Sequence, residues 1–130
     1  MVDALERIHR ALADGGVVVD TQPVSARPPV VGDDGELGTL DMSEWSKTIA
    51  AVDAEIVSTV ERGLFAVVAD RQVVVTDVYD DLAELVERTS DWVGTTVPGR
   101  LARQAQGSRG KVRLHQDVRV RVLARNAWCG

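Results

Sequence analysis

The chain has 130 residues, 45% of them hydrophobic, and a formal net charge of −5. That length sets one domain, the composition sets a globular chain over a disordered one, and the acidity argues against general nucleic-acid binding, which needs a basic surface. No apolar run nears the ~20 residues that span a bilayer, the N-terminal stretch lacks the apolar core of a signal peptide, and the single cysteine, Cys129, has no partner for an internal disulfide. Together these predict a cytoplasmic protein without membrane contact. The charge is divided: residues 1–99 hold 19 acids against 7 Lys/Arg, a balance of −12, whereas residues 100–130 hold one acid, Asp117, against 8 Lys/Arg, a balance of +7. The basic third can neutralise the acidic part of the same fold or of a second copy, or face an anionic ligand.

In chain order, residues 2–14 open with Leu5, Ile8 and Leu12 at i, i+3 and i+7, an apolar face with Ala4 and Ala11 beside it. Gly15 can end that helix in the left-handed conformation. Val17–Val19 is a β-branched run without alternation, which predicts a strand covered on both faces and central in its sheet. Pro23, Pro28 and Pro29 carry the chain onward in extended form. Val30-Val31, Gly32-Asp33-Asp34-Gly35 and then residues 37–40 read as a hairpin.

The clearest helix covers residues 43–62. Asp41 or Ser43 caps its start, Gly63 stops it, and Trp45, Ile49, Val52, Ile56 and Val60 make one stripe, widened by Ala50, Ala51 and Val57. Residues 64–69 and 72–78 are β-rich and predict a hairpin turning at Asp70-Arg71, with both faces covered. Residues 80–89 predict a second helix with Leu82, Leu85 and Val86 inward and Asp80/Asp81 at its positive end. Pro98 opens a third, residues 98–106, with Leu101, Ala102 and Ala105 inward. Residues 111–125 alternate: Val112, Leu114, Val118, Val120 and Val122 point one way, interrupted only by Gln116. Lys111, Arg113, His115, Asp117, Arg119, Arg121 and Arg125 point the other. Such a strand runs roughly 45 Å at 3.3 Å per residue, so it bends near Gln116 or Asp117 or reaches into a partner.

These elements predict an α+β fold: a single domain with a mixed, mostly antiparallel sheet packed against the long amphipathic helix, smaller helices at its rim. His9, His115 and Cys129 have no metal-ligand spacing. Asp33/Asp34 and Asp80/Asp81 suit turns and caps more than acid–base chemistry. Ser25, Ser43, Ser58, Ser90 and Ser108 lack the strand-to-helix elbow of a nucleophile. The basic face of the last strand is the one candidate site: Arg113, Arg119 and Arg121 form a fork-like anion site, or pair with acids of the fold.

The pattern L-x-x-I-H-R-x-L-x-x-G-G-V-V-V-D, residues 5–20, resembles a segment from the second half of the sheet of class I S-adenosylmethionine-dependent methyltransferases. There it usually ends R-x-L-x-P-G-G, and Asp14 stands in place of that proline. The resemblance covers about 20 residues closely and the later elements loosely. In those enzymes the cofactor sits on a Gly-rich loop after the first strand, with an acid at the end of the second. The matched segment implies a chain without that half. Gly15-Gly16 follows a helix and precedes a strand, the reverse of a nucleotide-cradling loop, so no catalytic or cofactor-binding residue carries over and no cofactor is expected.

Three functions are compatible with this reading. The first is a non-catalytic binding or interaction module acting as a homodimer or through a protein partner, since exposed strand edges invite pairing. The second is a methyltransferase subunit or remnant that needs a second chain, with a cleft near Asp20, Thr21 and Gln22. The third is an anionic small-molecule binder on the arginine face.

Overall fold

In the computed structural model residues 2–126 are described, with side chains from residue 4 onward; Trp128 and Cys129 lie outside them. The elements run α1 (Val2–Ala11), β1 (Val17–Pro23), β2 (Pro29–Gly32), β3 (Gly35–Thr39), α2 (Ser43–Glu61), β4 (Phe65–Tyr79), α3 (Leu82–Thr89), α4 (Gly99–Gln104) and β5 (Val112–Arg125). The fold is α+β. Among the described residues the five strands pair in the order β1-β5-β2-β3, with β4 also paired to β5, and β2 runs antiparallel to both β3 and β5. Two compact units can be distinguished, and β4, β5 and α2 contribute residues to each.

The first unit takes residues up to 22, Thr48–Val73, and Arg119 onward. Ile56, Phe65 and Leu123 are its buried centre, with Leu5, Leu12, Val18, Val52, Val60 and Leu64 packed around them. The stripe of α2 forms as its spacing predicts: Ile49 and Ile56 are buried, whereas Ala50, Ala51 and Val57 face water. On α1 the inward face is Leu5, His9 and Leu12. Ile8 is exposed, and buried His9 sets its ring edge-on to Phe65, 5.3 Å between centroids. The (i, i+4, i+7) and (i, i+3, i+7) triplets each span about 60° of the helix surface, so periodicity does not choose between them; the docking of α1 does, with His9 placed against Phe65. β1 is an edge strand, not a central one. Among the described residues it pairs only with β5, Val17 and Val19 are exposed, and Val18 alone of the three turns toward the core. A triple-valine run is compatible with either placement, because its pattern does not show which face is covered.

The second unit takes Pro23–Lys47 and Val74–Val118. The β2–β3 hairpin forms with Asp33 and Asp34 at its turn, and Val30, Leu40, Leu82, Leu85, Leu101, Val112 and Leu114 are buried together. Asp81 caps α3, its carboxylate accepting the Glu84 N–H at 2.8 Å, as helix starts favour. The start of α2 is held by Asp41, whose Oδ1 accepts the Ser43 N–H at 3.0 Å and the Ser43 hydroxyl at 2.6 Å. Gly94, at φ +71°, has no freedom to change: a Cβ there would lie 2.7 Å from the Trp45 backbone nitrogen.

The expected hairpin at residues 64–78 does not form. Phe65–Tyr79 is one continuous strand, and its middle is exposed on both faces instead of covered. Asp70-Arg71 makes a poor two-residue turn, since such loops need positive φ and select Asn-Gly or Asp-Gly. β5 does run as one strand, but burial changes parity along it. Val112, Leu114, Gln116 and Val118 are buried, and beyond them Arg121 and Leu123. Arg121, expected on the wet face, is therefore inside.

Candidate functional site

The three arginines of the basic strand have different surroundings. Arg113 is exposed in the second unit, on a residue whose backbone registers with Val31. Arg119 and Arg121 belong to the first unit and share a carboxylate. Arg121, 3% exposed, donates through Nε and Nη2 to Asp20 Oδ2 at 3.2 and 2.9 Å, and through Nη2 to Asp53 Oδ1 at 2.6 Å. Arg119 grips Asp70 bidentately at 2.9 and 2.7 Å and lies 3.9 Å from Asp53. The Asp70 carboxyl is held below its usual range, chiefly by that hydrogen bond. The forks are thus engaged by acids from β1, α2 and β4, which lock these elements to β5. Burying Arg121 is affordable only in this company, because an unpaired charge there would be strongly disfavoured.

Asp20 accepts from Arg121 and, at 2.8 Å, from Gln22 Nε2, and Thr21 is exposed. His115 on β5 meets Thr76, Nδ1 to Oγ1 at 2.9 Å. Among the described residues no cluster of His, Cys, Asp and Glu is placed to hold a metal ion, and no helix is long and apolar enough to cross a membrane.

The outstanding surface feature is one that the reading of residues 64–78 as a hairpin hid. β4 is 15 residues long, pairs only with β5 among the described residues, and exposes Val67, Val68, Val73, Val74, Val75 and Val78. Its other edge therefore presents a row of unpaired backbone N–H and C=O groups flanked by valine. Such an edge usually carries a proline, a bulge or several lysines as protection; β4 has no proline and no lysine. Arg71 and Asp77 are its charges without an ion pair among the described residues. The signal was present in the sequence: Val73, Val74 and Val75 are consecutive, so whichever face is covered, at least one valine is left outside.

Comparison of the chain with protein-family models, with curated proteins and with solved structures returns no match.

Proposed function

We propose that this protein is a non-catalytic interaction module that works as a homodimer, its two copies joined along β4. The observation that carries the reading is the long, valine-lined free edge of that strand. Two-fold pairing of antiparallel strands places residues of equal parity opposite one another, side chains on one face. A dyad at Val74 then sets Val73 against Val75 of the partner subunit, Gln72 against Thr76 of the partner subunit, and Arg71 against Asp77 of the partner subunit, each twice. A dyad at Asp70 or Arg71 would oppose like charges, and one at Gln72, Val73 or Val75 would leave Arg71 without an acid. The charge pattern thus favours a second copy, in one register.

The likeness of residues 2–21 to a methyltransferase segment supports descent from such an enzyme. It contributes no catalytic residue to the module.

Sedimentation velocity over a concentration series tests the reading. A dimer is expected for the native chain. Arg71→Asp alone, which faces Asp77 of the partner subunit, should weaken it about thirtyfold, because close like charges cost on the order of 1 kcal/mol in partly exposed sites and the contact occurs twice. The exchange Arg71→Asp with Asp77→Arg should restore it. A native chain that stays monomeric at high micromolar concentration would overturn the proposal.

A further inference from the structure

The arginines of the first unit keep unequal company. Arg119 and Arg121 stand among three acids, Asp20, Asp53 and Asp70, so their charges are more than met. Arg10, Arg62 and Arg125 instead converge on one cavity of about 380 Å³, from α1, from the residue after α2 and from the end of β5. Glu6, His9 and Leu64 complete the lining, all of it within the first unit. Three guanidinium groups against a single carboxylate leave this cavity a surplus of two positive charges. Its volume falls in the range of small-molecule clefts, roughly 300–1,000 Å³.

Each of the three guanidinium groups has donors to spare. Arg62 Nη1 donates to Glu6, and the Glu6 carboxyl is held below its usual range chiefly by that hydrogen bond, with the charges of Arg62 and Arg10 adding to it. Arg10 is exposed and makes no ion pair of its own among the described residues. Arg125 Nη1 donates to the Leu12 carbonyl at 2.6 Å and to Asp14 at 3.3 Å, which fixes the side chain against the end of α1. Asp14 itself is fully exposed and lies outside the lining. The Arg62 and Arg125 side chains retain 41% and 21% of their surface, so both can be reached from solvent. Like charges gathered in one cavity repel, and an incoming anion relieves that repulsion.

We infer that this cavity binds a small phosphomonoester. The phosphate carries a charge of about −1.5 to −2 at pH 7 and three acceptor oxygens, which match the surplus and the three guanidinium groups. Guanidinium forks favour such oxygens over other acceptors. A single carboxylate brings one charge and two oxygens and leaves one cation unmet. The organic part of the ester lies against Leu64 and the buried ring of His9. The lining residues are outside β4, so the site stands whether the chain is a dimer or a monomer.

The test is a two-dimensional ¹H–¹⁵N titration of the full chain with phenyl phosphate at neutral pH and low salt, followed on the amide signals of Leu64 and Arg125. Saturable movement is expected. Benzoate and phenol should each bind at least tenfold more weakly, and inorganic phosphate should bind more weakly too, because it leaves Leu64 and His9 uncovered. Arg10→Gln should weaken phenyl phosphate binding about tenfold, in line with the loss of one charge-assisted hydrogen bond. Glu6→Gln should instead strengthen it, because the cavity loses its one negative charge and Arg62 is released. Those opposite signs keep the variants informative, since a misfolded protein would weaken binding in both. Arg109→Gln, at an exposed arginine of the second unit, should leave the affinity unchanged. No saturable shift at about 5 mM phenyl phosphate, the scale of a weak small-ligand contact, would overturn the assignment. So would any of the three control compounds bound as tightly as phenyl phosphate, or Arg109→Gln proving as damaging as Arg10→Gln.

Discussion

Replacing Arg121 by methionine isolates the ion-pair network that ties β5 to β1 and α2. The Arg121 side chain is 4% exposed, Asp20 is 14% and Asp53 is 36%. Methionine fills much of the space left by the arginine stem, so the change is chiefly one of charge. Among the described residues Asp20 keeps only Gln22 as a partner, whereas Asp53 can turn toward Arg119, 3.9 Å away. Removing one member of a buried pair costs about 3–5 kcal/mol, and the relief available to Asp53 places this case at about 3 kcal/mol. With an unfolding entropy of ~2.1 cal/mol/K per residue, that is a fall in Tm of about 11 °C for a chain of this size. Combining Arg121→Met with Asp20→Leu removes the stranded carboxylate as well and should recover more than half the loss, since an apolar replacement of a whole buried pair is often neutral. Urea unfolding and calorimetry measure both, with an unchanged m-value confirming that the same surface is exposed. A single variant within about 1 kcal/mol of the native chain, or a double variant worse than the single, would show that Arg121 is not held as a buried charge; the threshold is the usual scale of a surface pair.

Acid should weaken the fold through three carboxyls held below their ordinary values: Asp70 by Arg119, Asp41 by the Ser43 hydroxyl and N–H, and Glu6 by Arg62. Depressed pKa values give stability that is full above the unfolded value and is lost as pH falls through the folded one. Asp70→Asn should therefore flatten the decline of Tm below about pH 4, near the ordinary aspartate value, and an unchanged acid limb would count against the Asp70–Arg119 pair. Tyr79 is the sole tyrosine, and burial pushes its phenol upward. Absorbance titration should place its midpoint above that of the urea-unfolded chain, with the associated stability present below the unfolded value and lost as pH rises through the folded one; coincident midpoints would refute its burial. Gly94→Ala forces a side chain into a left-handed backbone against Trp45 and should cost about 2–3 kcal/mol, read by urea unfolding, whereas a neutral result would mean that the loop relaxes.

The elements that the sequence specified are those whose causes are local. Asp41 and Gly63 bound α2, Asp81 caps α3 through its own third neighbour, and Asp33-Asp34-Gly35 closes the hairpin, since each needs only residues within a few positions. The features that escaped it depend on partners far along the chain. Asp70 looked like a turn residue, but its carboxylate belongs to Arg119, 49 positions away. Gln116 was legible as an anomaly, whereas the cavity that it lines with Trp45 and Trp92 was not.

By itself, then, the sequence determined the α+β class, the helices, with the bounds of α2 to within a residue, and the alternation of the last strand. Only the tertiary structure decided which side of each strand meets the core: it turned Val17 and Val19 outward, left β4 as an open edge, and drew Arg121 inside. Periodicity records that a strand has two faces. Which face is buried depends on where the covering elements dock, and along β5 the answer changes partway, where Asp20 and Asp53 make an arginine acceptable in the interior.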